Sequence, residues 1–146
     1  MTESNPDYGR AQSEALRDGT ELLSWLDIAI ESVDDGTATL TLPHSEHVVN
    51  AGTDFVHGGA VATLVDNAAG TALRTVLSNP ETADYATADL NVSYLRPSTD
   101  DLRADAEIRR AGSSLAVIQV EVTTQYKGER KTVALGRVSY FVVSDE

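Results

Sequence analysis

Between Ala60 and Leu77 the apolar residues fall on nearly every side of a helix, and this limits the folds open to the chain. Ala60, Val61, Leu64, Val65, Ala68, Ala69, Ala72, Leu73, Val76 and Leu77 cover far more than one stripe. A helix apolar on most sides has to be enclosed by other elements rather than laid on a surface. The spacing predicts a helix over 57–78. A His57-Gly58-Gly59 turn opens it, and Ser78-Asn79-Pro80 closes it, because proline removes a donor and biases the preceding residue away from helix. One carboxylate, Asp66, stands inside the run. Burying it among Ala, Val and Leu is costly unless a partner or a reaction requires it, so Asp66 is a candidate for chemistry.

The rest of the chain supplies the enclosure. Residues 1–12 show no apolar period and are expected to form a flexible N-terminal segment, followed by a single domain over 13–146. Ser13 to Trp25 reads as a short amphipathic helix. Asp27 to Val33 and Thr37 to Leu42 alternate apolar and polar residues around Asp34-Asp35-Gly36, the signature of a hairpin. After the long helix come four strand-like stretches: Tyr85 to Leu95, Asp101 to Arg110, Leu115 to Tyr126 and Lys131 to Val143. Short turns at Ala111-Gly112-Ser113 and Lys127-Gly128-Glu129 suggest a meander. The expected fold is therefore α+β, an antiparallel β-sheet wrapped around one long central α-helix.

Charge narrows the partners. The chain carries 23 acidic against 11 basic residues, net −12, and only Lys127 and Lys131 are lysines. Such a surface repels nucleic acid and anionic membranes, and it suits high salt, which screens self-repulsion. No stretch approaches the length of an apolar membrane span, and the acidic start does not look like a signal peptide, so a cytoplasmic protein is expected. With no cysteine, thiolate chemistry and disulfides are excluded. His44 and His47 lack a third ligand at useful spacing, so neither a metal nor another cofactor is expected.

Several pieces then combine: Leu26-Asp27-Ile28, Asp35 to Leu40, Asn50 ahead of His57-Gly58-Gly59, Leu64-Val65-Asp66-Asn67, Leu90 to Pro97, and Gly136-Arg137. From about Leu22 to Val143 the chain resembles the hotdog-fold acyl-CoA thioesterases. The nearest branch is that of the phenylacetate-pathway thioesterase, within the 4-hydroxybenzoyl-CoA thioesterase superfamily. Asn50 stands one residue further from His-Gly-Gly than the family spacing, with Asp54 in the loop.

The resemblance implies hydrolysis of aryl- or medium-chain acyl-CoA. It implies that the backbone N–H of Gly58 polarises the thioester carbonyl, as an unpaired donor at a helix N-terminus can. Asp66 is then the general base or the nucleophile. Asn50, His57 and Thr87 join them as candidate catalytic residues, Thr87 being placed on one strand face with Asp89 and Asn91. Gly59, Asn67, Arg96, Pro97, Arg110, Gly112, Ser113 and Ser114 are the candidate substrate- and CoA-binding residues, the arginines suiting phosphate. A non-catalytic acyl-CoA-binding sensor or accessory subunit of the same fold is the alternative, although it would not need Asp66.

Geometry adds an assembly. Gly58 and Asp66 are eight residues apart, about 12 Å along a helix, too far for one thioester to meet both. A second copy across a two-fold axis would set Gly58 of one subunit against Asp66 of the other. A homodimer at minimum is expected, and by resemblance a homotetramer built as a dimer of dimers.

Overall fold

A computed structural model describes residues 5–145. Two helices lead: α1 (Pro6–Gly19) and α2 (Glu21–Trp25). The hairpin β1 (Ala29–Asp34) and β2 (Thr37–Leu42) follows, turning at Gly36 with φ 80°. Next come the central helix α3 (Gly58–Arg74) and the strands β3 (Asp84–Tyr94), β4 (Leu102–Ala111), β5 (Leu115–Tyr126) and β6 (Glu129–Ser144). All six strands are antiparallel in one sheet, which curves around α3 as expected. No described helix is long and apolar enough to cross a membrane.

The enclosure of α3 is close. Leu64, Val65, Ala68, Ala69 and Ala72 have no exposed surface. The facing strands offer Leu40, Ala104, Ile118, Val122 and Val138, all at 0% exposure. Each large aliphatic side chain buried this way contributes roughly 1.5–3 kcal/mol. Gly136 on β6 marks the tightest crossing, since a Cβ there would stand 2.5 Å from Val65 Cγ1.

Four expectations about the fold are corrected. The N-terminal segment is helical from Pro6, not flexible through residue 12. Asn5 caps the helix by accepting the Tyr8 N–H at 3.2 Å, and Gly9 lies directly against the backbone of Arg74. Tertiary docking thus holds a stretch that lacks an apolar period. Residues 1–4 of that segment lie outside the described residues. The helix expected over 13–25 breaks at Thr20, whose backbone is extended.

The central helix ends at Arg74, short of Ser78-Asn79-Pro80. Thr75 donates its hydroxyl to the Ala72 carbonyl at 2.6 Å and accepts the Gly36 N–H at 2.9 Å. A contact with the β1–β2 turn stops the helix before proline can.

The strands do not form a simple meander. Their order is β1-β2-β4-β5-β6-β3, so β3 pairs with β6 at one edge while β4 pairs with β2. The chain between β3 and β4 crosses under the loop that precedes α3. There the Val56 N–H donates to the Ser98 carbonyl at 2.9 Å, and the His44 N–H to Asp101 Oδ1 at 2.8 Å. The 11-residue strand β3 is left with one edge unpaired among the described residues and with nearly every side chain exposed or only half-buried.

Candidate active site

The helix start is built by His57. Its ring Nδ1 accepts the Gly59 N–H at 2.8 Å, and its backbone N–H donates to the Val48 carbonyl at 2.7 Å. His57 therefore caps α3, and the Gly59 N–H is already engaged. Gly58 is the first helical residue, and its N–H has no hydrogen-bond partner among the described residues. Tyr94 donates its hydroxyl to the Gly58 carbonyl and closes one side. Gly58 lines an open groove of about 450 Å³ whose walls also include Asn50, Phe55, Tyr94, Arg96 and Pro97.

Asp66 lies two turns on, half-buried, and opens onto a different groove of about 420 Å³ shared with Asn67, Arg74, Leu90 and Tyr140. Its Oδ1 accepts the Thr87 hydroxyl at 2.9 Å and the Tyr140 hydroxyl at 3.0 Å. The Tyr140 hydroxyl is also 3.0 Å from the Asp66 backbone carbonyl. Both partners hold one carboxylate oxygen, and Oδ2 has no hydrogen-bond partner among the described residues. Tyr140 stays a proton donor: burial pushes its phenol well above the ordinary value, and the neighbouring Asp66 charge raises it further. Gly70 makes room for this contact, since a Cβ there would come within 2.8 Å of the Tyr140 oxygen.

Thr87 reaches Asp66 because β3 is irregular. A bulge between Thr87 and Asp89 places Thr87 opposite Tyr140 on the inner face, while Asp89 and Asn91 pair with Ser139 and Arg137 on the outer face. The expected common face for Thr87, Asp89 and Asn91 is thus corrected; one inserted residue reverses the alternation. Asn50 shares the groove of Gly58, and Asn67 that of Asp66.

The candidate CoA residues split in one chain. Arg96 and Pro97 border Thr124 at one end of β5, whereas Arg110, Gly112, Ser113 and Ser114 form the β4–β5 turn at the other end. The two ends are roughly 30 Å apart at the rise of a strand. The Gly112 N–H is engaged by the Leu115 carbonyl at 3.0 Å. Arg96 and Arg110 are exposed and make no ion pair among the described residues, which is notable in so acidic a chain. His44 and His47 each set Nε2 against a backbone carbonyl, that of Asp54 at 2.8 Å and that of Trp25 at 2.9 Å.

Among known proteins, the model of the thioesterase superfamily matches residues 53–130, and a Halobacterium salinarum protein provisionally named an esterase is 41% identical over the whole of both chains. The chain belongs to the thioesterase superfamily. Thioester hydrolysis is its activity. Human acyl-coenzyme A thioesterase 13 is 35% identical over 63% of this chain and 62% of its own. The Escherichia coli PaaI protein from the phenylacetic acid degradation operon superimposes with a TM-score of 0.79 at 26% identity, covering 97% of each chain. A thioesterase family protein from Silicibacter pomeroyi shares the fold with a TM-score of 0.84 at 20% identity, over 93% of this chain and 98% of its own.

Within this thioesterase, Asp66 and the His57-Gly58-Gly59 turn were legible in the sequence, and Tyr140 was not. Tyr140 is 74 positions from Asp66, and the only local hint was an aromatic on the inward face of β6, where Ala134, Gly136, Val138 and Val142 are otherwise small or aliphatic.

Proposed function

We propose that this thioesterase hydrolyses acyl-CoA at composite sites, each formed by Gly58 of one protomer and Asp66 of its partner. One observation carries the reading. The Gly58 N–H and Asp66 Oδ2 are both unpartnered among the described residues, yet Gly58 and Asp66 line two different grooves of the same chain. The free edge of β3 supplies the means of joining them. Long exposed edges are liabilities unless another strand covers them. On β3, Thr87 stands beside Asp66 and Tyr94 beside Gly58. Antiparallel pairing of two β3 strands about an axis between Leu90 and Asn91 exchanges these ends. Each Asp66 is thereby brought toward the other protomer's Gly58. The same exchange carries Arg96 and Pro97 toward the partner's β4–β5 turn, where Arg110, Ser113 and Ser114 complete a phosphate-binding rim for coenzyme A. Human acyl-coenzyme A thioesterase 13, with its related sequence, favours the same substrate class.

The chemistry follows from the free atoms. The thioester carbonyl oxygen sits on the Gly58 N–H at the positive end of α3, which stabilises the oxyanion. Asp66 Oδ2 either takes a proton from the attacking water or attacks the carbonyl carbon itself. Collapse of the tetrahedral intermediate breaks the carbon–sulfur bond, and the departing thiolate is protonated to free coenzyme A. With water as nucleophile this releases the acid directly; with Asp66 as nucleophile it leaves an acyl anhydride on Asp66, which a water then hydrolyses to the free acid and the restored carboxylate. Leu16, Leu22, Leu23 and Leu90 around Asp66 give the acyl group an apolar wall.

Complementation tests this directly. Gly58→Pro removes the N–H at the first helical position, where proline is otherwise tolerated. Gly58→Ala is the control that keeps the N–H. Asp66→Asn and Gly58→Pro proteins, each inactive alone, are mixed under conditions that exchange subunits. Activity should return, since one site of each mixed dimer then has both native groups. No recovery despite proven exchange would place both groups in one protomer.

A further inference from the structure

The groove that holds Asp66 also holds a cation that hydrolysis, as derived above, leaves idle. Arg74, the last residue of α3, is only 6% exposed. Its Nε donates to the Ser13 hydroxyl at 2.7 Å and its Nη1 to the Tyr85 hydroxyl at 3.1 Å, with the guanidinium carbon 5.9 Å from the Tyr85 ring centre. Both partners are neutral. Among the described residues no carboxylate lies within ion-pair distance of Arg74, and its Nη2 has no acceptor.

Arginine is almost never buried without a charged partner, because the lost hydration must be offset. Here the want of one is conspicuous, since acidic residues outnumber basic ones 23 to 11 in this chain. A second donor nearby shares the condition: Asn67 Nδ2 is buried with no hydrogen-bond partner. Both residues line the Asp66 groove.

The cation stands close to the reacting group. The space that a Gly70 Cβ would occupy lies 2.8 Å from the Tyr140 oxygen and 3.2 Å from Arg74 Nη1, and the Tyr140 oxygen is 3.0 Å from Asp66 Oδ1. Arg74 and Asp66 thus flank Tyr140 in one groove, with no more than about 9 Å between Arg74 Nη1 and Asp66 Oδ1. The same groove is lined by Leu16, Leu23 and Leu90. An acyl chain held at Asp66 shares this groove with Arg74, and what a short one should present to Arg74 is an anion that accepts from a planar fork of N–H groups.

We propose that Arg74 binds the distal carboxylate of the acyl group, so that this site takes the mono-CoA thioesters of short dicarboxylic acids. The assignment rests on Asp66 as the group that acts on the thioester. It deepens that reading by naming the acyl class and does not alter the reaction.

Matched pairs of substrates provide the test. Thiol release is measured for succinyl- against butyryl-CoA and for glutaryl- against pentanoyl-CoA, which differ only in the terminal group. A charge-assisted hydrogen bond pair predicts kcat/KM roughly tenfold or more higher for each diacid thioester. Arg74→Gln should abolish that ratio while leaving the neutral substrates hydrolysed. Arg74→Lys, which keeps the charge and loses the fork, should retain part of it. The wild-type ratio decides even where a variant does not fold. Equal rates within each pair, or preference for the neutral member, would overturn the role of Arg74 and leave the thioesterase site standing. A ratio unchanged in Arg74→Gln would reduce Arg74 to a tie between α1 and the sheet. Release from no CoA thioester of either kind would overturn both readings.

Discussion

The Tyr140 hydroxyl lies 3.0 Å from Asp66 Oδ1 and 3.0 Å from the Asp66 backbone carbonyl, so one residue of β6 fixes both ends of the acid. With Thr87 on the same oxygen, Asp66 is held in one orientation, with Oδ2 free. Removing one of these donors should weaken catalysis without abolishing it. Tyr140→Phe is expected to lower kcat/KM roughly tenfold, the worth of one hydrogen bond to a charged group. Gly70→Ala should behave similarly, because its new methyl displaces the hydroxyl. Steady-state kinetics on both variants, with circular dichroism as the check on folding, reads the effect. Unchanged kinetics in Tyr140→Phe would remove Tyr140 from the site.

Replacing the acid itself has a larger consequence. Asp66→Asn preserves size and both hydroxyl contacts, so the fold should persist while the rate falls by about 10²–10⁴. Single turnover of the wild type in ¹⁸O-water, with acid quench, then separates the two roles of Asp66. Label in the carboxylate or a trapped acyl-enzyme marks a nucleophile, and label confined to the product acid with no acyl-enzyme trapped marks a base.

Tyr140 also leaves a signature in pH. Its phenol is raised above 10.0 in the folded protein by burial first and by the Asp66 charge second. The folded state thus holds this proton more tightly than the unfolded chain. Its contribution to stability is complete below about pH 10 and is lost as pH rises through the folded value. Denaturant midpoints should be insensitive to Tyr140 through neutrality and fall above pH 10, with a shallower fall in Tyr140→Phe. An identical alkaline slope in the two proteins would contradict the assignment.

At the crossing of α3 over β6, Gly136→Ala should cost about 1–3 kcal/mol, because the added methyl meets Val65. Scanning calorimetry should show partial recovery on combining it with Val65→Ala, as expected of neighbours that share one space.

Activity should also follow assembly. If β3 edges complete one another, dilution that separates protomers in sedimentation must abolish hydrolysis over the same concentration range. An active monomer would refute the shared site. The same measurement separates a dimer from a dimer of dimers.

What the sequence by itself determined was local. The apolar coverage of α3, the His57 turn at its start, the Asp-Gly hairpin and the isolated acid at Asp66 all follow from periodicity and single-residue chemistry. Each is written within a few residues of the structure it specifies. Tertiary structure decided the rest. It sent β3 to the far edge of the sheet, shifted Thr87 to the inner face by one bulged residue, ended α3 at Thr75 through a contact with Gly36, and stabilised α1 by docking Gly9 on Arg74. It also gave Asp66 its second donor from Tyr140 and set Arg74 in the same groove with no carboxylate in ion-pair distance among the described residues. These features depend on which distant strands pair and in which register, and the free energy that selects a register is spread over the entire buried face. No window of sequence contains it.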